Sequence, residues 1–117
     1  MIGIDVIEIE RFEEFIKNSK LQQKVFTSLE IEYFSKFKDP KQRMAGFFCA
    51  KEAVLKALDC PKGATVKDIE VNHYASGKPY VKLYNFALAE FEKTGHKTLE
   101  VSISHSNTVA TAVCLLK

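Results

Sequence analysis

The sequence lacks the features of a membrane protein or of a protein from an oxidising compartment. No stretch of about 20 apolar residues is present, which excludes a transmembrane helix. The chain reaches an acidic residue at Asp5 without a basic segment before it, so we expect no secretory signal. The three cysteines, Cys49, Cys60 and Cys114, are odd in number and widely spaced. We therefore expect reduced thiols in a cytoplasmic protein that does not bind membranes.

Several kinds of site are missing as well. No cluster of histidines and cysteines has the spacing of a zinc site, and no Gly-x-Ser-x-Gly motif indicates a serine hydrolase. The chain has no repeats, low-complexity tracts or linkers. Its 117 residues, 46% hydrophobic and 27% charged, have the size and composition of one globular domain spanning residues 1–117.

The charges are distributed unevenly, although the net charge is only +2. Residues 1–16 carry five acidic side chains and one arginine, a net charge of −4. Residues 36–67 carry eight basic and three acidic side chains, a net charge of +5. A basic centre beside an acidic N-terminus suits an anionic ligand held partly through a cation, and it equally suits solubility alone.

Hydrophobic patterning predicts an α+β fold in which helices pack on a small, mainly antiparallel sheet. The predicted elements are a strand over residues 1–6, helices from about 10, from 27 or 28 and over 40–58, strands at 69–71 and 80–83, a helix over 85–93, and a hairpin of 99–104 and 109–115. Asp5 is expected on the strand face opposite Ile2, Ile4 and Val6. The hairpin loop is expected to carry His105.

The predicted central helix has three charges in a mostly apolar segment. Lys51 takes a place in the apolar stripe where an aliphatic residue is usual. Glu52 and Lys56 are four residues apart, so they share a helix face and can reach one ligand. Because burying charge is unfavourable unless the charge is paired or bound, the segment is either a ligand site or an amphipathic helix with an ordinary surface pair.

Two carboxylates are candidate Mg²⁺ ligands, Asp5 on the first strand and Glu52 on the central helix. Mg²⁺ is usually held by few carboxylates together with substrate phosphates, and Lys56 could pair with those phosphates. Asp5 could equally be an acid with a local role at a strand edge. His105 lies among small hydroxyl residues that leave room for an extended ligand, although a loop histidine is commonly plain polar surface.

Six short motifs follow one another along the chain. Gly3-Ile4-Asp5 is followed by an arginine at Arg11, and residues 48–57 read Phe-x-x-Lys-Glu-Ala-x-x-Lys-Ala. The others are Phe-Thr followed by Glu at 26–30, Asp-Ile-Glu at 68–70, Gly-Lys-Pro at 77–79 and Ser-Ile-Ser-His-Ser at 102–106. In identity and order these motifs resemble those of the small 4′-phosphopantetheinyl transferases, the holo-acyl-carrier-protein synthase family.

The resemblance implies transfer of the phosphopantetheine arm from coenzyme A to a serine of acyl carrier protein, with release of adenosine 3′,5′-bisphosphate, in fatty acid biosynthesis. Asp5 and Glu52 would hold Mg²⁺ against the diphosphate, and Lys56 would stabilise the leaving phosphate. The base that deprotonates the serine would be Glu52 or a metal-bound water. The residues predicted to contact the coenzyme are Lys56, His105, Gly77, Lys78, Pro79 and Arg43, although Gly77-Lys78-Pro79 is equally typical of a plain turn.

The chain departs from the family at Phe47, where an arginine that contacts a coenzyme phosphate is common. We expect another base to replace that arginine, and the candidates are Lys41, Arg43 and Lys62. The glycine-rich segment that usually follows the central helix is shortened to residues 59–63.

The resemblance also implies partners. Arg11 would dock the acidic acyl carrier protein, with Phe15 as the apolar contact, and the chain would form a homotrimer with active sites between subunits. Two other functions stay open on the residues alone. One is a nucleic-acid-binding domain using the basic middle segment with Tyr74 and Tyr80, although most aromatics fall at core spacing, so we expect no nucleic acid. The other is a Mg²⁺-dependent phosphohydrolase with the same carboxylates.

Overall fold

The computed structural model describes residues 1–117 and confirms the α+β prediction. The elements in chain order are β1 Ile2–Glu8, a 3₁₀ helix Ile9–Phe15, α1 Ser19–Val25, α2 Ser28–Phe34, α3 Lys41–Ala57, a 3₁₀ turn Val66–Asp68, β2 Ile69–His73, β3 Pro79–Leu83, α4 Asn85–Thr94, β4 Leu99–His105 and β5 Val109–Leu116. A three-stranded antiparallel sheet has the order β1-β5-β4, and β2 and β3 form a separate hairpin beside β4. Helix α3 packs against all three strands of the larger sheet.

The helices between β1 and α3 follow the sequence prediction only in part. The segment from Glu10 is a 3₁₀ helix, and the short helix α1 was not predicted. Helix α1 buries none of its side chains, so it lacks the apolar stripe by which a helix is recognised in a sequence. Its start is stabilised locally, because the Asn18 side chain accepts a hydrogen bond from the Leu21 amide at 3.1 Å.

Helix α2 begins at the predicted N-cap. The Thr27 side chain accepts from the Glu30 amide at 3.4 Å, and the Glu30 carboxylate accepts from the Thr27 amide at 2.8 Å. This reciprocal pair is a capping box, which satisfies two amides that the first helical turn leaves without partners.

Helix α3 approaches β1 so closely that only glycine fits at position 3. A Cβ on Gly3 would overlap the Ala53 carbonyl oxygen and lie 2.5 Å from the Ala57 amide nitrogen. Ala50, Ala53 and Ala57 are all buried along this side of the helix. The small residues therefore set the distance between β1 and α3, and with it the spacing of any side chains that the two elements share.

The outer face of the sheet is apolar and exposed. Asp5 does lie opposite Ile2, Ile4 and Val6, as predicted, but the aliphatic side chains point away from α3 and are 67%, 64% and 63% exposed. Leu115 on β5 pairs with Ile2 and is 38% exposed. We call these four side chains the outer sheet face. Gly3 and Ile7 lie on the inner face and are buried against α3.

None of the helices is long and apolar enough to cross a lipid bilayer. The three cysteines are all free; Cys49 and Cys114 are buried in the core, and Cys60 is exposed.

Candidate active site

Lys51 has a structural role. Its side chain is completely buried and forms an ion pair with the equally buried Glu30. The Lys51 ammonium also donates to the carbonyl oxygens of Val25 at 3.0 Å and Val66 at 3.2 Å. Burial lowers the pKa of Lys51, and the charge of Glu30 opposes that shift. The charge in the apolar stripe therefore ties α3 to α2 and to the turn before β2, and no ligand can reach it.

Asp5, Glu52 and Lys56 converge between β1 and α3, and we call them the acidic cluster. The Lys56 ammonium donates to an Asp5 carboxylate oxygen at 3.1 Å and to the Ile4 carbonyl oxygen at 3.0 Å. The hydrogen bond and charge of Asp5 raise the pKa of Lys56. Burial and the neighbouring charge of Asp5 raise the pKa of Glu52, and Lys56 opposes this. The two acids, 47 positions apart in the chain, thus interact directly through space.

The acidic cluster fits a divalent cation that is held partly by a ligand. Two carboxylates that repel each other gain from a cation placed between them, and Mg²⁺ is commonly bound by one or two carboxylates plus substrate phosphates. No group of three or more acidic, histidine or cysteine side chains is arranged to hold a metal. The donor set therefore matches an ion that shares its coordination with phosphate oxygens better than one enclosed by protein alone.

Cys49 lies next to the acidic cluster but belongs to the core. Its thiol donates to the Ala110 carbonyl oxygen at 3.4 Å. Burial, followed by the charge of Asp5, raises the pKa of the Cys49 thiol to about 12. The sulfur therefore stays protonated and supplies neither a nucleophile nor a metal ligand.

A cavity of about 250 Å³ lies on another side of α3, and we call it the cationic cavity. It brings together Arg43, Gly77, Pro79 and His105, four of the residues predicted to bind the coenzyme. Lys78, predicted with them, instead lines neighbouring grooves beside Glu100. Tyr33, Gln42, Gly46, Phe47, His73 and Ile103 complete the cavity, so no carboxylate lines it.

Sequence reasoning missed the aromatic wall of this cavity. Tyr33 and Phe47 stack with ring centroids 5.4 Å apart and an interplanar angle of 8°. The His73 ring lies 5.3 Å from Tyr33 and 5.5 Å from Phe47. The only signal in the sequence was the unusual phenylalanine at position 47, because α2, α3 and β2 meet here solely through the tertiary fold.

The structure distinguishes the three bases considered as replacements for the missing arginine. The Lys41 ammonium is held by Glu10 at 3.3 Å and Glu13 at 2.9 Å. Arg43 lines the cavity, and its guanidinium lies 3.7 Å from the centroid of the Phe37 ring. Lys62 does not line the cavity. Of the three, Arg43 is the cation that faces this space.

The acidic cluster and the cationic cavity lie on different sides of α3. At 100° per residue, Phe47 and Glu52 point about 140° apart on this helix. Asp5 is on β1 and His105 is on β4, which are the two opposite edges of the β1-β5-β4 sheet. The residues that the sequence predicts for one site therefore form two separate groups in one chain.

The two residues predicted to contact a carrier protein lie together. Arg11 is exposed, and with Phe15 it lines a small cavity of about 150 Å³ whose other lining residues are Ile7, Phe12, Glu14 and Phe48. The Phe15 ring is 4.8 Å from the Phe12 ring. A positive charge thus stands at the rim of an apolar depression.

Comparison with known proteins identifies the family of the chain. The 4′-phosphopantetheinyl transferase superfamily model matches residues 1–114. A holo-acyl-carrier-protein synthase of Caldicellulosiruptor bescii is 44% identical over 114 residues, which cover 97% of this chain and 94% of the relative. The enzyme of that name from Syntrophus aciditrophicus is 40% identical over 119 residues, covering 98% and 93%.

Solved structures give the same result. The crystal structure of Helicobacter pylori holo-acyl-carrier-protein synthase in complex with coenzyme A covers 100% of both chains, with a TM-score of 0.83 and 30% identity. The Bacillus anthracis enzyme in complex with CoA (3′,5′-ADP) covers 98% of this chain and 93% of its own, with a TM-score of 0.80 and 31% identity. The resemblance seen in the motifs is confirmed, and the chain belongs to the 4′-phosphopantetheinyl transferase superfamily.

Proposed function

We propose that the protein transfers the 4′-phosphopantetheine arm of coenzyme A to a serine of acyl carrier protein and releases adenosine 3′,5′-bisphosphate. The observation that carries this proposal is the convergence of Asp5, Glu52 and Lys56 in one cluster. The chain also matches relatives named holo-acyl-carrier-protein synthase over more than nine-tenths of its length. The named coenzyme A complexes of structural relatives support the choice of donor.

Each member of the acidic cluster has a proposed role. Asp5 and Glu52 would hold Mg²⁺, which would supply positive charge against the diphosphate. The serine oxygen attacks the phosphorus of the pantetheine arm, and the bond from that phosphorus to the adenosine bisphosphate breaks. Glu52, directly or through a water molecule that it positions, accepts the serine proton. Lys56 turns from Asp5 to the leaving phosphate.

We also propose that the active site forms between copies of the chain in a homotrimer. The acidic cluster and the cationic cavity lie at opposite edges of the sheet, so a cyclic arrangement can place one half beside the other half from a neighbouring copy. The outer sheet face exposes four aliphatic side chains, and contiguous exposed apolar surface commonly marks a protein interface.

Complementation tests the shared site. Glu52→Gln and His105→Ala chains are each expected to be inactive, and trimers assembled from a mixture of the two should regain part of the activity. A mixed trimer contains some sites built only from the undamaged halves. Mixtures that stay inactive, despite verified subunit exchange, would argue that each site lies within one chain.

The proposed docking surface for acyl carrier protein is the Arg11 and Phe15 depression. Arg11 at the edge of this apolar depression offers a cation to an acidic partner, and Glu14 lies at the same edge. Arg11→Ala is expected to raise KM for the carrier protein far more than KM for coenzyme A. Equal effects on both substrates would indicate a structural role for Arg11.

The proposed location is the cytoplasm, with a role in fatty acid biosynthesis. The three free cysteines fit a reducing compartment, and cell fractionation would test the location.

Mass spectrometry of apo acyl carrier protein tests the reaction. With coenzyme A and Mg²⁺, the wild-type protein should add the mass of the phosphopantetheine group to the carrier, and Glu52→Gln should not. An unchanged mass with several apo carriers would refute the transferase. Release of phosphopantetheine from coenzyme A without any carrier would instead indicate a phosphohydrolase.

A further inference from the structure

We propose that His73 is a specificity-determining residue of the coenzyme site, where together with Arg43 it binds the phosphate monoester on the nucleotide end of coenzyme A. The imidazole binds that group in its protonated form, so affinity for coenzyme A rises as pH falls. This role of His73 rests on the proposed function and adds a residue that no sequence motif indicated.

The position of His73 suits this contact. It is the last residue of β2, it lines the cationic cavity, and one side of its ring packs on Tyr33 and Phe47. The packing restricts the orientation of the imidazole, while the residue stays exposed to the cavity. A ring held in this way loses little conformational freedom on binding a ligand.

The charges around His73 select an anion. The titratable groups that face the cavity are Arg43 from α3, Tyr33 from α2 and His105 from β4, and the turn before β3 contributes only Gly77 and Pro79. A cavity that contains cationic groups and no carboxylate attracts negative charge. A phosphate monoester has three acceptor oxygens and carries close to two negative charges. The guanidinium of Arg43 alone cannot donate a hydrogen bond to all three oxygens, which leaves an acceptor for His73.

The protonation of His73 is coupled to the ligand. Burial, and then the charge of Arg43, lower the pKa of His73 in the free protein, so the imidazole is neutral at pH 7. A bound phosphate places an opposite charge beside the ring and favours the imidazolium. Proton uptake therefore accompanies binding, and Arg43 alone holds the ligand at alkaline pH.

His105 is the other histidine that lines the cavity, so its contribution has to be separated from that of His73. In His105, Nδ1 lies 3.2 Å from the Ser106 carbonyl oxygen, which leaves Nε2 for a ligand. No hydrogen bond contributes to the pKa shift of His73, which comes from burial and Arg43 only. His105→Gln is therefore a necessary comparison in any measurement of pH dependence.

Isothermal titration with coenzyme A and with 3′-dephospho-coenzyme A, between pH 5.5 and pH 8, tests the role of His73. The measured quantity is the ratio of the Kd of His73→Gln to the Kd of the wild type, because the titration of the ligand itself cancels in that ratio. For coenzyme A the ratio should be about tenfold at pH 5.5, the effect of one charge-assisted hydrogen bond, and close to one at pH 8. For the dephospho compound it should be close to one throughout.

Two further variants sharpen the test. His73→Lys keeps a positive charge at every pH, so it should bind coenzyme A tightly at pH 8 as well as at pH 5.5. His96→Gln, a histidine that does not line the cavity, should behave as the wild type.

The unfavourable outcomes are distinguishable. A ratio near one for coenzyme A at every pH would overturn the role of His73, and so would an equal loss for both compounds, which indicates a purely structural wall. If the wild type binds no coenzyme A at any pH, the proposed function fails together with this inference.

Discussion

Replacing Gly3 by alanine should force β1 and α3 apart and disrupt the acidic cluster. The added methyl group would overlap the Ala53 carbonyl oxygen and lie 2.5 Å from the Ala57 amide nitrogen. Both obstacles are backbone atoms of a helix, so no side-chain rotation relieves the overlap. The strand or the helix has to move.

The expected magnitude follows from the nature of the contact. Overpacking a core usually lowers the free energy of unfolding by about 1–3 kcal/mol, and a clash with backbone on two sides belongs at the upper end, at about 3 kcal/mol. For a domain of this size that corresponds to a decrease in Tm of roughly 12 °C. Because Asp5 is on β1 while Glu52 and Lys56 are on α3, a displacement of about 1 Å should also decrease kcat by at least about tenfold.

Urea unfolding followed by circular dichroism measures the stability, and transferase activity is measured below the melting temperature of the variant. Gly46→Ala on α3 is the control for stability only, because Gly46 lines the cationic cavity; its Cβ would meet only the Ile103 Cγ2 atom, at 3.0 Å. That methyl group can shift, and alanine favours the helix by up to about 1 kcal/mol, so the control should stay within about 1 kcal/mol of the wild type. A Gly3→Ala protein within about 0.5 kcal/mol of the wild type would refute the reasoning.

Three other predictions concern the charged and apolar groups. Lys51→Met should lower the free energy of unfolding by about 3–5 kcal/mol in urea, because it leaves the buried Glu30 without its cation. Glu52→Gln should be at least as stable as the wild type at pH 7. Burial and Asp5 raise the pKa of Glu52 in the folded protein. The stability that its proton contributes is therefore complete below the pKa of the unfolded state, and it is lost as pH rises through the pKa of the folded state. Its advantage should therefore disappear near pH 4 in melting curves. Ile4→Lys on the outer sheet face should decrease the molecular mass in light scattering from trimer to monomer.

Each of these has a control and a contrary result. Lys117→Met removes an ion pair whose two side chains are 56% and 49% exposed, so it should change the stability little. An equally small change for Lys51→Met would contradict the structural role of the Lys51 and Glu30 ion pair. For Glu52→Gln, the contrary result is a larger loss of stability at pH 7 than at pH 4. Leu29→Lys changes an exposed residue of α2 that is not part of the outer sheet face, so it should keep the assembly. An Ile4→Lys protein that also stays trimeric would place the interface elsewhere.

The sequence predicted those parts of the fold that carry a strong local pattern. Helix α3 has a long apolar stripe and a proline before its first residue, and the capping box at Thr27 marks the start of α2. Helix α1 was missed because it buries no side chain, so its formation depends on caps and tertiary contacts rather than on a periodic pattern. The pairing order β1-β5-β4 joins the two ends of the chain and has no local signal.

The candidate site divides in the same way. Asp5, Glu52 and Lys56 could be chosen from residue type, spacing and family resemblance, and the fold brings them together. Tyr33 and His73 could not be chosen, since each becomes relevant only where α2, α3 and β2 meet around the cationic cavity. Lys51 was singled out correctly as an unusual charge, but its partner Glu30 lies 21 residues earlier and offers no local signal.

The two-residue period of β1 links the candidate site to the proposed assembly. Because successive side chains of a strand point to opposite faces, placing Asp5 toward α3 requires Ile4 and Val6 to point away from it. The inner positions of β1 are occupied by a glycine that admits the helix, an acid that faces Glu52, and only one large apolar residue, Ile7. The aliphatic residues that would ordinarily fill the core are therefore displaced to the outer sheet face, where a single chain leaves them exposed to water. A second copy of the chain that covers these side chains removes the unfavourable free energy of exposing them to water. The strand that positions the acid therefore also provides the surface for the proposed assembly.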